Sequence, residues 1–399
     1  MKVVIAGPYP KNVEKIRGGV EAVVVNLTEG LQHFTDLDLH VVTLQGGIQQ
    51  ERTVSSDRLT IHYLPRASRL SYLTFYVNRQ RIKKKITNIA PNIIHAQAAG
   101  VYAEAAFQTN CPTIVTLHGI IHREVKTYRS TFSRLYKGWC RVRREQSCVK
   151  NARHIIAISP YILEEFENLI SADTYLIENP IADKFFTLED RSQPDQILFA
   201  GLIIPRKQVL ELLQAMVEVR RSVPTVQLRL AGDQRSTIDR GPYFAELQEL
   251  IAEECLGKNL RFLGSLSEDE LLKEYAECSL LILPSVQETA PMVIMQAMAA
   301  GKAVVATRVG GIPHLVEDGR TGLLVDSGDV PALAEAIVRL LKNDTLRTAM
   351  GQKGREVAER RFGAKAIAEK TREVYYRVAG CAVPVSSSKN CVDGGELKK

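Results

Sequence analysis

The segment from Leu281 to Leu324 constrains the fold of this chain more than any other part of its sequence. A short apolar run is followed by a polar loop, an apolar stretch of helical length, a second short apolar run and a glycine-rich turn. Pro291 suits the first turn of the helix, because a backbone N–H is not needed there. The segment therefore predicts a strand–loop–helix–strand unit with parallel strands.

The same alternation of short apolar runs and helical stretches extends over most of the chain, which predicts an α/β protein with parallel sheets. Predicted strands cover 3–6, 39–43, 61–63, 93–95, 113–117, 154–158, 175–177, 196–200, 228–231, 260–263, 280–283, 303–306 and 322–325. Predicted helices cover 19–31, 72–88, 100–108, 133–148, 160–169, 209–220, 243–254, 268–277, 291–300, 331–341 and 364–378.

A length of 399 residues exceeds what one ordinary hydrophobic core supports, so two domains are expected. The polar stretch at 188–196 has the composition of a linker. We predict a first domain at 1–187, a second at 188–363, a helix at 364–378 and a disordered tail at 379–399.

Cysteine content and hydropathy narrow the cellular setting. The seven cysteines are odd in number and lack CxxC spacing, which argues against a disulfide framework or a structural zinc site. The apolar run before Gly7 is too short for a secretory signal or a membrane span. A reduced cytoplasmic location is predicted, with the inner face of the membrane as an alternative.

The positive charge is concentrated in the first domain. Residues 1–185 contain 24 Lys and Arg against 16 Asp and Glu, whereas the remainder is almost neutral. Basic residues are dense at 58–85 and 123–153, and they favour either a solvated helix face or contact with an anionic membrane or acceptor. Nucleic acid is not expected as a partner, because no helix-turn-helix or aromatic stacking motif accompanies the charge.

The loop and helix after residue 284 have the features of a donor site. Unpaired amides at the start of the helix predicted from Pro291 favour a phosphate. Glu288 lies just before this helix, and Gln296 lies on its surface one turn beyond Met292. An anion site beside two side chains that bind hydroxyls suits a sugar joined to a nucleoside diphosphate.

Two motifs of the first half are predicted to lie at the carboxyl ends of strands, where α/β proteins bind ligands. His118 follows the apolar run at 113–117, and His95 closes the run before it. Gly18 and Gly19 precede a predicted helix, where they permit close approach of a ligand to the backbone. Their spacing is not GxGxxG, so a nicotinamide cofactor is not expected.

From Val3 to about Tyr376 the chain resembles the retaining GT-B glycosyltransferases of family 4, in which two glutamates flank seven residues. Here Glu288 matches the first glutamate, and Gln296 replaces the second. The resemblance implies two Rossmann-like domains that face a cleft and a carboxyl-terminal helix that returns to the first domain. It also implies that the first domain binds the acceptor and the second the donor.

The resemblance assigns roles to individual residues. His118 and Glu288 would contact the transferring sugar, and Lys207 would neutralise the leaving diphosphate. The arginine expected five positions before Lys207 is Leu202. Arg206 is a candidate replacement, although neighbours in a regular helix point to different faces. Other expected donor residues are Gly19, Thr289, Ala290, Pro291, Met292 and Gln296, and expected cleft-lining residues are Gly18, His95, Gly232 and Gly264.

The function implied is transfer of a sugar from a nucleoside-diphosphate sugar, with retention of anomeric configuration, to a glycan or lipid-linked acceptor in surface polysaccharide or glycolipid synthesis. No metal cofactor is expected, because the sequence has no DxD after a strand and no His/Cys cluster with ligand spacing. Leu202 and Gln296 motivate an alternative, a non-catalytic nucleotide-sugar-binding partner in a glycan assembly complex.

Overall fold

An eight-stranded sheet forms the centre of the first domain, with the strand order β3-β4-β2-β1-β5-β6-β7-β8. The computed structural model describes residues 1–13, 16, 18–67, 71–127, 138–233 and 240–384. The strands are β1 Lys2–Ala6, β2 Asp38–Gln45, β3 Arg52–Ser55, β4 Leu59–Pro65, β5 Ile93–Gln97, β6 Thr113–Leu117, β7 His154–Ala157 and β8 Asp173–Leu176. All pairs are parallel except β3 with β4. The sequence did not predict β3, because its four residues are exposed at the sheet edge and lack an apolar pattern.

The helices of this half are α1 Gly19–Leu31, α2 Ser71–Ile89, α3 Val101–Phe107, α4 Ile121–Lys126, α5 Trp139–Asn151, α6 Pro160–Glu165 and α7 Asp183–Phe186. The start of the helix predicted at 133–148 lies outside the described residues, and α5 ends three residues later than predicted. The strand order reverses between β1 and β5. In an open α/β sheet this reversal leaves a crevice at the carboxyl ends of the strands, where ligands bind.

A six-stranded sheet in which every pair is parallel forms the second domain, with the order β11-β10-β9-β12-β13-β14. Its strands are β9 Gln196–Ala200, β10 Gln227–Ala231, β11 Leu260–Gly264, β12 Leu280–Leu283, β13 Ala303–Thr307 and β14 Gly322–Val325. Its helices are α8 Val209–Ser222, α9 Arg240–Glu253, α10 Glu268–Glu277, α11 Met292–Ala299, α12 Val330–Leu341 and α13 Asp344–Arg361. The sequence did not predict α13, whose buried side includes Gly351 and Gly354 and therefore lacks a continuous apolar stripe.

The last helix, α14 Ala364–Val378, packs against α1 of the first domain. Contact is close, because a Cβ on Gly30 of α1 would lie 2.6 Å from the carbonyl oxygen of Ala364. Arg372 of α14 donates to Asp36 at 2.9 Å. These contacts confirm the predicted return of the carboxyl-terminal helix. The tail residues 379–384 are described, and 385–399 lie outside the described residues.

The connection between the two sheets contacts the second domain. Phe185 of α7 packs edge-on against Tyr275 of α10, with ring centroids 5.6 Å apart, and Lys184 pairs with Glu268 at 2.5 Å. The predicted limit between the domains, at 187, stays a prediction. Across the described segments we found no helix with the length and apolar character needed to span a membrane.

Candidate donor site and cleft

Two cations converge on one carboxylate at the start of the second domain. After β9 the chain forms a short 3-10 turn at Pro205–Lys207, which ends at Gln208 in the left-handed conformation with φ 48°. Lys207 Nζ lies 2.5 Å from Oε1 of Glu288, and Arg206 Nη1 lies 3.4 Å from the same atom. The side chains of Arg206 and Lys207 were expected to point to different faces, as neighbours in a regular helix do. That expectation is wrong here, because this turn is not a regular helix.

The pKa values reflect this pairing. Burial acts to raise the pKa of Glu288, but the charges of Lys207 and Arg206 outweigh it and hold that pKa below its ordinary value. Burial lowers the pKa of Lys207, and the charge of Glu288 opposes this shift. With the carboxylate ionised beside two cations, the cluster carries a net positive charge that suits an anionic ligand.

Glycine contacts hold the backbone around Glu288. A Cβ on Gly310 would lie 1.9 Å from the Glu288 carbonyl oxygen, and one on Gly311 would lie 1.8 Å from that of Thr289. Gly311 also donates its backbone N–H to the Glu288 carbonyl at 3.0 Å. Only glycine permits so close an approach of two loops. The rest of the predicted donor loop, Ala290, Pro291 and Met292, is buried beside it.

Helix α11 presents its first turn to the first domain. A Cβ on Gly19 would lie 3.7 Å from Cγ of Met292, so α11 faces the glycine pair that begins α1, whereas Gly18 has open space at its Cβ position. Gln296 follows one turn later and is largely buried. Oη of Tyr275 lies 3.2 Å from the side-chain amide of Gln296 and 3.0 Å from the Val293 carbonyl oxygen.

A chain of hydrogen bonds through polar side chains of the first sheet holds His118. Its Nε2 lies 2.7 Å from Oε1 of Gln97, whose Nε2 lies 3.1 Å from Nε2 of His95. Nδ1 of His95 lies 2.7 Å from the hydroxyl of Tyr375 on α14. His95 is 1% exposed and does not line the cleft. That prediction is corrected: the ring supports the cleft wall from behind, because its nitrogens are bonded within the sheet and to α14.

Both histidines are neutral at pH 7. Burial lowers the pKa of His118 to about 4 and that of His95 to about 3. A neutral His118 that donates its Nε2–H to Gln97 has an unprotonated Nδ1, which can accept a hydrogen bond from a ligand hydroxyl without adding positive charge to the site.

The predicted glycines of the second domain shape the floor beside Lys207. A Cβ on Gly232 would lie 1.8 Å from the Gly201 carbonyl oxygen, and the Gly232 amide donates to the Gly264 carbonyl at 2.8 Å. Gly264 itself has a positive φ of 70°. A Cβ on Gly201 would lie 3.8 Å from Lys207 Nζ. The ends of three neighbouring strands are thus packed together under the lysine.

The two halves of the predicted site face each other. Glu124 of α4 lies with its Oε1 3.0 Å from the Cβ position of Gly119, directly after His118, and its charge acts on Lys207. Tyr161 of the first domain donates to Gln287 of the second at 3.3 Å. These contacts place the end of β6 opposite the cluster of Lys207 and Glu288.

Sequence reasoning missed several residues of this site. Gln97 closes β5 and holds His118, and its position as a polar residue at a strand end was a usable signal. Tyr161 and Asn179 gave no local signal, because their partners, Gln287 and the Ala290 carbonyl, are more than 100 positions away in the sequence. Within the described residues, no three His, Cys, Asp or Glu side chains are grouped as metal ligands, and the six cysteines described there are free thiols.

Two facing Rossmann-like domains joined by a return helix define the GT-B class of glycosyltransferases. Solved structures support this fold. Sucrose-phosphate synthase from Thermosynechococcus elongatus aligns with a TM-score of 0.80 and 21% identity over 95% of this chain and 99% of that chain. HepE of Anabaena, solved in complex with UDP and glucose, aligns with a TM-score of 0.70 and 19% identity over 94% of this chain and 99% of that chain.

Family models identify the chain more narrowly. Glycosyltransferase Family 4 matches residues 17–185, and Glycosyl transferases group 1 matches residues 181–357. An uncharacterized glycosyltransferase of Methanocaldococcus jannaschii is 26% identical over 391 residues, which cover 94% of this chain and 98% of that protein. The chain belongs to the family 4 glycosyltransferases of the GT-B fold, and it is a glycosyltransferase.

Proposed function

We propose that this enzyme transfers a sugar from a nucleoside-diphosphate sugar to a hydroxyl of a glycan or lipid-linked acceptor, with retention of anomeric configuration. The observation that carries the proposal is the convergence of Lys207 and Arg206 on Glu288 beneath the cleft. The cations match a diphosphate, and the carboxylate matches sugar hydroxyls. The UDP and glucose bound by HepE of Anabaena make a UDP-sugar the first donor to test.

The ion pair explains how the donor would be held. When a diphosphate enters, Lys207 would exchange the carboxylate for a phosphate oxygen, and Glu288 would be released to accept hydrogen bonds from the sugar. Arg206 reaches the same carboxylate and would take the role of the arginine that Leu202 replaces. As the bond between the anomeric carbon and phosphate oxygen breaks, the two cations would stabilise the charge that develops on the leaving diphosphate without a metal ion.

Retention follows if the acceptor hydroxyl attacks from the face that the diphosphate leaves. The departing phosphate oxygen would then take the proton of the acceptor hydroxyl, so no side-chain base is required. His118 would bind a sugar hydroxyl from the first domain, as a neutral ring held by Gln97.

A panel of UDP-, GDP- and ADP-sugars tests the proposal by thermal shift, because a ligand present well above its Kd raises the melting temperature. The proposal expects one class of donor to stabilise the protein and to be slowly hydrolysed. His118→Ala should bind the nucleoside diphosphate like the parent, and Glu288→Ala should bind it at least as tightly, because the phosphate no longer competes with a carboxylate for Lys207. Both variants should lose transfer and hydrolysis together, because sugar contacts count most in the transition state. Full activity in both variants would refute this assignment. Donor binding without hydrolysis or transfer by the parent would favour a binding partner.

The first domain also carries a surface suited to an anionic membrane, which we call the basic-aromatic surface. It comprises Phe75 and Tyr76 of α2, Trp139 of α5, and Arg79, Arg143 and Arg144. The three aromatic side chains are 38%, 50% and 57% exposed, in that order. Arg144 lies 3.6 Å from the ring centre of Phe75, and Arg143 lies 4.5 Å from that of Trp139. Aromatic rings beside cations suit the interface between lipid headgroups and water.

Liposome sedimentation tests the membrane contact. The parent should bind vesicles with anionic lipid at low salt and dissociate as the salt concentration rises. Trp139→Ala should weaken binding, whereas Leu176→Ala, which removes an apolar side chain on β8 that is 48% exposed, should not. Equal binding to neutral and anionic vesicles would refute the role of charge. Binding would support the proposal that the enzyme works at an anionic membrane surface, where a lipid-linked acceptor would be available.

A further inference from the structure

A buried tyrosine contacts the residue that replaces the second family glutamate. Tyr275 of α10 is fully buried, and its ring lies nearly perpendicular to that of Phe185, with the ring centroids 5.6 Å apart. Its hydroxyl oxygen lies 3.0 Å from the carbonyl oxygen of Val293 and 3.2 Å from the side-chain amide of Gln296. Both partners belong to α11: Val293 directly follows Met292, which faces the first domain, and Gln296 lies one turn after Met292.

The number of protons determines how these groups are bonded. Burial raises the pKa of Tyr275 well above its ordinary value, so the hydroxyl keeps its single proton. The Val293 carbonyl can only accept, and at 3.0 Å the hydroxyl must donate to it. No second proton remains for an acceptor on Gln296.

The amide of Gln296 is therefore oriented by the tyrosine. The oxygen and nitrogen of a side-chain amide are distinguished through their hydrogen-bond partners. If the oxygen of Gln296 faced Tyr275, it would lie against the hydroxyl oxygen with no proton between the two. The nitrogen in that place donates to the tyrosine oxygen. This orientation directs Oε1 of Gln296 away from Tyr275.

We propose that Tyr275 is a positioning residue for nucleotide binding, which holds Gln296 so that its Oε1 accepts a hydrogen bond from a ribose hydroxyl of the donor. The inference rests on the proposed donor site. The fixed, neutral oxygen of Gln296 would accept the hydrogen bond that a charged carboxylate at this position would accept. Nucleotides with ribose hydroxyls should therefore bind more tightly than nucleotides that lack them.

Calorimetric binding of UDP, GDP and ADP and of their 2′,3′-dideoxy forms tests this inference. Tyr275→Phe keeps the ring packed on Phe185 and removes only the oxygen, and Gln296→Met removes the amide. Each should weaken binding of the preferred ribonucleotide roughly three- to tenfold, the scale of one neutral hydrogen bond, and leave the dideoxy form unchanged. The double variant should lose no more than either single one. Tyr102→Phe, which removes a buried hydroxyl that accepts from the Leu44 amide in the first domain, is the matched control.

Two results would overturn the inference while the donor site stands. In the first, Tyr275→Phe binds the ribonucleotide like the parent. In the second, it loses equal affinity for the ribose and dideoxy forms, as a purely structural role would require. If the parent binds none of the nucleotides, the donor site itself is refuted, and the role of Tyr275 with it.

Discussion

Replacing Lys207 by methionine removes one charge of the buried ion pair and keeps most of the side-chain volume. The two side chains of the pair are 11% and 8% exposed, and their charged atoms are 2.5 Å apart. Loss of one partner of such a pair costs about 3–5 kcal/mol, since the other charge stays buried. Arg206 remains 3.4 Å from the Glu288 carboxylate, so we expect the lower end, about 3 kcal/mol.

Turnover should fall by more than this loss of stability explains. In the proposed mechanism Lys207 stabilises charge that develops on the leaving diphosphate. The loss of one preorganised electrostatic contact lowers turnover roughly 100- to 1,000-fold. Transfer is measured with the preferred donor at a temperature where circular dichroism shows the variant to be folded, and stability is measured by urea unfolding.

A double variant distinguishes the contribution of the ion pair to stability from the contributions of its two side chains. Lys207→Met with Glu288→Gln removes both charges, so it should be less destabilised than the sum of the single variants. Strictly additive losses would refute the ion pair as a source of stability. Turnover of Lys207→Met within about threefold of the parent would refute its role at the leaving group, since that loss is far below the scale of such a contact.

Three further predictions concern stability. Gly232→Ala should lower the melting temperature, because its Cβ would overlap the Gly201 carbonyl oxygen; Gly257→Ala, with no neighbour within 4 Å, should not, and equal behaviour in thermal unfolding would contradict this. Gly30→Ala should likewise destabilise the docking of α14, unlike Gly46→Ala, where there is open space; unchanged thermal unfolding of the first would contradict it. The third uses the lowered pKa of Glu288, whose stabilisation is present above about pH 4.3, the ordinary glutamate value, and is lost as the pH falls through the lower folded pKa. The stability difference between the parent and Glu288→Gln in urea should therefore shrink as the pH falls below about 4.3, and a constant difference would contradict it.

Local sequence patterns predicted most of the architecture. Short apolar runs and amphipathic stretches located the central strands, and α14 has the predicted limits. Elements without such a pattern were missed: exposed β3, short α4 and α7, and α13 with its buried glycines. The resemblance to family 4 predicted the cleft residues as a set. The family models confirm the family, and the roles of those residues stay predictions.

The sequence by itself determined the two-domain α/β architecture and the family, because hydrophobic periodicity and motif spacing are local properties. It also predicted which residues form the donor loop. Only the tertiary structure decided which of these residues contact one another. Lys207 meets Glu288 across 81 positions, and His95 meets Tyr375 across 280. It made His95 a buried support, brought Arg206 to Glu288, and paired Gln296 with Tyr275. Such pairings depend on how helices and loops pack in three dimensions, and no local pattern encodes a partner that distant in the chain.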